Sequence, residues 1–278
     1  MRQRVVPALS AAAVLAALSC ASILSIPDRT LKWCDRSGNA HAFCEDFDQA
    51  DAGAGLDHPP VVVGAASLAF VPSDDTAPNA LDTQTSALPG PDASAIAAMG
   101  KRFEDRKFDH VVVEADVRFI QANFVTQGSI TTGVGFLLLE DQPSFCIGLV
   151  AAPSTSNLAS AIDLGVVYVP NNRNCVTVGN LPSMPDAGID PDAGVSLTIF
   201  TQTFVGSWTH VKLEAKRASD GSGIVTATGG VGAQVAPPIP PGSLAQGIPL
   251  VGLATTVTGP SGPFEIQFDN VTIDFPRD

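Results

Sequence analysis

Residues 109–120, Asp-His-Val-Val-Val-Glu-Ala-Asp-Val-Arg-Phe-Ile, alternate with a period of two. Val111, Val113, Ala115, Val117 and Phe119 fall on one face, and Glu114, Asp116 and Arg118 on the other. A strand turns successive side chains to opposite sides, so this run has one buried and one solvated face. The stretch from Trp208 to Lys216 repeats the pattern, with Val211, Leu213 and Ala215 set against His210, Lys212 and Glu214. Near the C-terminus Phe264, Ile266 and Phe268 share one parity, whereas Val271, Ile273 and Phe275 share the other. The register flips at Asp269-Asn270, which predicts a β-bulge there.

Further strands are expected over 42–48, 61–71, 129–139, 145–151, 162–169, 196–203, 223–228 and 249–256. Helical periodicity is lacking apart from residues 93–99, which could form one short turn. The sequence holds 25 Gly and 22 Pro, so its elements are short and often interrupted. About a dozen short strands with this punctuation define an all-β fold, an antiparallel sandwich or barrel. With 278 residues and 45% apolar content the chain can bury one large sandwich core. Asp220-Gly221-Ser222-Gly223 reads as a hairpin turn. Residues 182–194 and 236–247 read as loops, the second extended and polyproline-like.

The formal charge of −13, with only 15 Lys and Arg spread over the chain, argues against nucleic acid as a partner. The same acidity leaves divalent cations open as ligands.

The first residues read as an export signal: Arg2 and Arg4, an apolar run from Ala8 to Leu18, then Ser19-Cys20. The run of 11 residues is well short of the roughly 20 that cross a bilayer. Ala17-Leu18-Ser19-Cys20 resembles the lipobox of bacterial lipoproteins, in which the Cys is diacylated and becomes the new N-terminus. Ala17 stands where that motif usually has Leu, and ordinary cleavage near residues 17–21 is the other reading. The cysteine count supports the anchor, because five Cys less Cys20 leaves four. Cys34, Cys44, Cys146 and Cys175 allow three pairings, of which 34–44 and 146–175 are the local ones; in an oxidising compartment they would be disulfides. No CxxC or His-x₃-His spacing supports zinc. The organisation expected is a signal peptide over 1–20, a tether over 21–41 and one β domain over 42–278.

Phe43-Cys44-Glu45-Asp46-Phe47-Asp48, Trp208-x-x-Val-x-Leu-Glu214 and Phe268-Asp-Asn-Val-Thr-Ile273 together resemble concanavalin A-like jelly-roll domains, including the laminin G-like and glucanase-like modules of bacterial surface proteins. The resemblance covers residues 42–276. It implies a two-sheet antiparallel jelly roll in which the first and last strands pair in one sheet. It also implies binding of carbohydrate or protein, or cleavage of polysaccharide, without fixing which. The signal and the Asp-Ala-Gly-rich segment resemble those of myxobacterial lipoproteins.

Glucanases of this fold carry two catalytic glutamates on one strand. Glu114-Ala-Asp116 begins their pattern, but Arg118 and Phe119 stand where the second glutamate belongs. The polar face of an ordinary strand explains these residues better. The four His are dispersed and no Gly-x-Ser-x-Gly elbow occurs, so a nucleophilic triad is not supported. If the terminal strands pair as in the family, Asp46, Asp48 and Asp269 come together as candidate Ca²⁺ ligands; otherwise they cap strands and turns. Asp186, Asp190 and Asp192 lack the Gly and Glu positions of an EF-hand and read as a solvated loop. Trp208 falls on the polar parity of its strand and is the candidate platform for a sugar ring, against the alternative of packing under a loop.

These observations define an expectation: an exported, lipid-anchored bacterial envelope protein with a non-catalytic recognition domain for a polysaccharide or a surface protein. The competing expectations are a polysaccharide-cleaving enzyme of glucanase or lyase type and a purely structural envelope module.

Overall fold

The computed structural model describes residues 34, 41–47, 52–72, 79–90, 92–127, 130–131, 133–142, 145–154, 156, 158, 160–170, 184–185, 196–229, 232–236, 238–244 and 246–277. The chain divides into two units, Met1–Gly38 and Asn39–Asp278. Only Cys34 of the first is described, and every strand belongs to the second.

In chain order the strands are β1 (Phe43–Glu45), β2 (His58–Val63), β3 (Ala66–Pro72), β4 (Asn79–Thr85), β5 (Ser94–Arg102) and β6 (His110–Ala122). There follow β7 (Thr126–Gln127), β8 (Ile130–Thr131), β9 (Val134–Gln142), β10 (Phe145–Pro153), β11 (Ala161–Pro170) and β12 (Met184–Pro185). The last are β13 (Ser196–Phe204), β14 (Trp208–Arg217), β15 (Gly223–Gly229), β16 (Gly232–Val235), β17 (Ile248–Thr258) and β18 (Phe264–Asp274). An eight-stranded sheet runs β16-β15-β14-β6-β18-β4-β3, with β1 also paired to β18. A seven-stranded sheet runs β13-β11-β10-β9-β17-β5-β2, and β12-β8-β7 form a small third sheet. The pairings are antiparallel. The chain crosses from one large sheet to the other at β4–β5–β6 and again at β17–β18, which makes this a two-sheet jelly-roll sandwich.

The alternation in β6 does what its sequence dictates. Val111, Val113, Ala115, Val117 and Phe119 are fully buried between the sheets, and Val211, Leu213 and Ala215 of β14 join them. Phe supplies the bulk that Trp and Tyr do not: Phe119 meets Phe136 of β9 edge to face, ring centroids 5.4 Å apart. Phe108 meets Phe145 in the same way at 4.8 Å. One polar link crosses this core, where the hydroxyls of Thr83 and Thr255 lie 2.6 Å apart. Thr83 also donates to the Ile266 carbonyl, and Thr255 to that of Thr83, so neither hydroxyl is stranded.

The bulge at Asp269-Asn270 is present: the β18–β6 register shifts between Asp269 and Thr272, and Asn270 has φ 52°. The terminal strands pair as the resemblance implies, with Phe43 opposite Ile273. Gly221, at φ +78°, sits in the turn joining β14 to β15. Three expectations are corrected. Residues 129–139 are not one strand: Ile130–Thr131 belong to the small third sheet as β8, and β9 begins at Val134 in the seven-stranded sheet. Residues 61–71 are not one strand, because Gly64 at φ +68° turns the chain between β2 and β3. Residues 93–99 form no helical turn; they enter β5, flanked by β17 and β2. Ala95 to Ala98 are buried on both faces, and a strand covered on both sides loses the alternation that reveals it.

The two large sheets treat their outer faces differently. On the seven-stranded sheet a second apolar cluster, Ile96, Ala98, Leu138, Cys146, Leu250 and Ala254, lies on the parity opposite the main core, each at 1% exposure or less. The outer face of the eight-stranded sheet carries ionisable and amide side chains.

Candidate functional site

Strand register arranges that polar face in rows. His210 of β14 stands opposite Asp116 of β6, which stands opposite Asp269 of β18. Next to it run Trp208, Arg118, Gln267 and Asp82, on β14, β6, β18 and β4. A third row holds Gln121, Glu265, Gln84 and Ser67, on β6, β18, β4 and β3.

Along β6 and β14 the charges neutralise one another. Asp116 receives His210 Nδ1 at 2.8 Å on one oxygen and the Asn270 amide at 2.7 Å on the other. Lys212 Nζ lies 3.7 Å from Glu114 and 3.4 Å from Glu214, and His110 Nε2 is 2.9 Å from Glu214. Glu114 and Asp116 do share a face, but both oxygens of Asp116 are engaged, and Glu114 has Lys212 Nζ at 3.7 Å and His210 Nε2 at 3.5 Å. A carboxylate held this way is a poor nucleophile and a poor proton donor, so the ladder is a structural polar face.

The hydrogen bond to Asp116 raises the His210 pKa above its ordinary 6.5, with burial opposing and the charges of Asp116 and Glu114 adding. A raised folded-state pKa means that the protonated imidazolium stabilises the fold. That contribution is complete below 6.5 and is lost as the pH rises through the folded value. The side chain is 47% exposed, so solvent screening keeps the effect below about 1 kcal/mol. Thermal melts of the wild type and His210→Gln should differ near pH 5.5 and converge by about pH 8.5. A difference independent of pH would contradict this assignment.

At the other end of the rows a cleft of about 370 Å³ opens, lined by Ser67, Gln84, Thr85, Gln121 and Glu265 among others. Beside it Asp82 is 2% exposed. Gln84 Nε2 donates to Asp82 Oδ2 at 2.7 Å, while Oδ1 is buried with no hydrogen-bond partner among the described residues. Burial pushes the Asp82 carboxyl up, against hydrogen bonds from Gln84 and Gln267. Burial and the Asp82 charge push Glu265 up as well.

The structure brings Trp208 onto this face, half-buried and opposite Arg118, whose Nε donates to the Gly206 carbonyl at 2.9 Å. Asp46, just beyond β1, and Asp269, at the bulge of β18, are each 2% exposed; Asp48 lies outside the described residues. Among the described residues no group of three or more His, Cys, Asp or Glu side chains is arranged to hold a metal ion. Cys34, Cys44 and Cys146 are each disulfide-bonded, which fits folding in an oxidising compartment. Cys20, the expected lipid carrier, and Cys175 lie outside the described residues.

Sequence reasoning missed Asp82, Gln84, Gln121, Glu265 and Gln267. The available signal was the shared parity of Asp82 with Gln84 and of Glu265 with Gln267, in strands whose register the sequence does not supply.

No family model matches the chain, and no curated protein matches it. Among solved structures it is similar to an endo-β-1,4-glucuronan lyase from Trichoderma reesei, at TM-score 0.54 and 13% identity, covering 85% of this chain and 96% of the other. An alginate lyase from Klebsiella pneumoniae gives TM-score 0.44 and 10% identity over 74% of this chain and 84% of that one. A legume lectin-like domain from Entamoeba histolytica gives 0.38 and 10% over 76% and 89%. The chain is thus an all-β, two-sheet antiparallel jelly roll of the concanavalin A-like kind. At these identities the likeness is one of fold, and function has to be argued from the site.

Proposed function

We propose that this protein is a non-catalytic recognition module for neutral polysaccharide, held at the bacterial cell envelope by a lipid on Cys20. The observation that carries the reading is the contrast between the two outer sheet faces. The apolar cluster on the seven-stranded sheet is out of solvent, whereas the eight-stranded sheet presents amides, an arginine and a half-buried Trp in aligned rows. Sugars are bound by such sets: planar amides and charged groups for the hydroxyls, an aromatic face for the C–H surface of the ring. Trp208 and Gln84 lie on strands three positions apart, so about 14 Å separates their strand axes, enough for roughly three sugar units.

The charge of this face selects among glycans. Glu114, Asp116 and Glu214 are already paired with Lys212, His110 and His210. The acids left over, Asp82 and Glu265, disfavour a polyuronate at their end of the face as long as no cation sits on them. The structurally similar Trichoderma protein is named for a lyase of glucuronan, a polyanion, and its substrate class does not suit this surface. Cleavage through Glu114 and Asp116 is disfavoured by the contacts that occupy them. In this reading the remaining cysteines pair 34–44 and 146–175, and a surface protein is the competing ligand.

The test is a glycan array probed with the full-length chain, followed by titration of Trp208→Ala and Gln121→Ala against the best neutral hit. Each variant should weaken binding by about tenfold or more. An array blank for neutral glycans, or full binding by both variants, would remove the proposal.

A further inference from the structure

We propose that Asp82 and Glu265, with side-chain oxygens of Gln84, Gln121 and Gln267, form a site for a divalent cation with hard-oxygen preference, Ca²⁺ by donor set. The inference goes beyond glycan recognition and does not depend on it. It is also distinct from the expected Asp46, Asp48 and Asp269 set, of which Asp46 lies just beyond β1 and Asp269 at the bulge of β18.

The starting point is Asp82. A carboxylate in the middle of a sheet face, 2% exposed and with Oδ1 buried and lacking a hydrogen-bond partner among the described residues, is costly to keep charged. Its cross-strand neighbour is Gln267, and Gln84 donates to its other oxygen. On the diagonal stands Glu265, directly opposite Gln84, a second acid close enough for the Asp82 charge to push its pKa up. Among the described residues no Lys or Arg acts on either carboxyl. Two acids have been placed together on adjacent strands, beside amides and with no cationic side chain against them among the described residues.

The surrounding groups fit a hard cation. Calcium takes six to eight oxygens, supplied by carboxylates, amide carbonyls and water. Gln84 now presents its NH₂ to Asp82; rotating the terminal amide by half a turn presents Oε1 in its place, and Gln267 can do the same. Gln121 and Glu265 both line the adjoining cleft, through which an ion and its waters can enter. Histidine and thiol ligands are missing from the set, which disfavours zinc and copper. Magnesium, with its strict octahedron and reluctant dehydration, suits a site of several amide oxygens less well than calcium. The cation would tie β4 to β18, next to the buried Thr83 link with the other sheet.

The test is the thermal midpoint of the full-length chain in EDTA, in 10 mM MgCl₂ and in 10 mM CaCl₂. Calcium should raise the midpoint by about 3–8 °C over EDTA, and magnesium by less than half as much. Asp82→Asn keeps the shape and the glutamine contacts while removing the charge. It should abolish the calcium shift, with a midpoint in EDTA at or above that of the wild type. Glu265→Gln should require about tenfold more calcium for half the shift. The double variant Asp46→Asn, Asp269→Asn should retain the shift, which separates this site from the terminal-strand aspartates. No calcium shift in the wild type, a shift that survives Asp82→Asn, or one lost only in the double variant would overturn the proposal.

Discussion

Phe119→Ala should lower the thermal midpoint on the order of 10 °C, a loss of about 3–5 kcal/mol. Phe119 is fully buried on β6, which holds a central place in the eight-stranded sheet, and its ring is set edge-on to Phe136 of the opposite sheet. Truncation removes apolar burial and opens a cavity between two sheets whose strands are fixed by their hydrogen bonds, so the space cannot collapse. A domain of this kind has about 5–15 kcal/mol of stability, and one residue therefore commands a large share of it. The neighbouring Arg118→Ala, on the outer face, should cost within about 1 kcal/mol. Denaturant melts of the two variants measure this contrast. Equal costs would mean that the face assignment of β6 is wrong.

Cys20→Ala should move nearly all of the protein from the membrane fraction to the soluble fraction. Each buried methylene of an acyl chain contributes about 0.8 kcal/mol, and one chain gives only reversible binding. Two chains on one cysteine make the attachment stable, and nothing in the apolar run from Ala8 to Leu18 is long enough to replace them. Fractionation of cells that express the two forms reads the outcome directly. A wild type already in the soluble fraction would favour ordinary cleavage near residues 17–21, and equal membrane retention of the two forms would likewise end the anchor proposal.

How much of the molecule was legible varies with how each strand is buried. β6, β14 and β18 have one wet face, so their alternation, and even the bulge at Asp269-Asn270, can be read from residue types alone. β5 lies between β17 and β2 and is covered on both sides; its Ala-rich run shows no period and passes for a helical turn. The division between β2 and β3 depends on one glycine inside a continuous apolar run, where a turn and a bulge look alike. The site was less accessible still. Asp82 and Glu265 are 183 residues apart in sequence (265 less 82), and only the register of β4 on β18 puts them together. Trp208 was accessible because parity within its own strand assigns its face.

The pairing of β1 with β18 has a topological meaning as well. His41 Nδ1 lies 2.7 Å from Asp274, so the chain enters and leaves the sandwich at one spot. The strands between them form a nearly closed loop of polypeptide, whose start is arbitrary as far as its packing is concerned. Such a domain can be cut at an exposed turn and rejoined across its native ends, or spliced whole into a loop of another protein, with little disturbance to either host or guest. A module joined to the chain beyond β18 would be tethered beside the entry point of the sandwich and not at its far end.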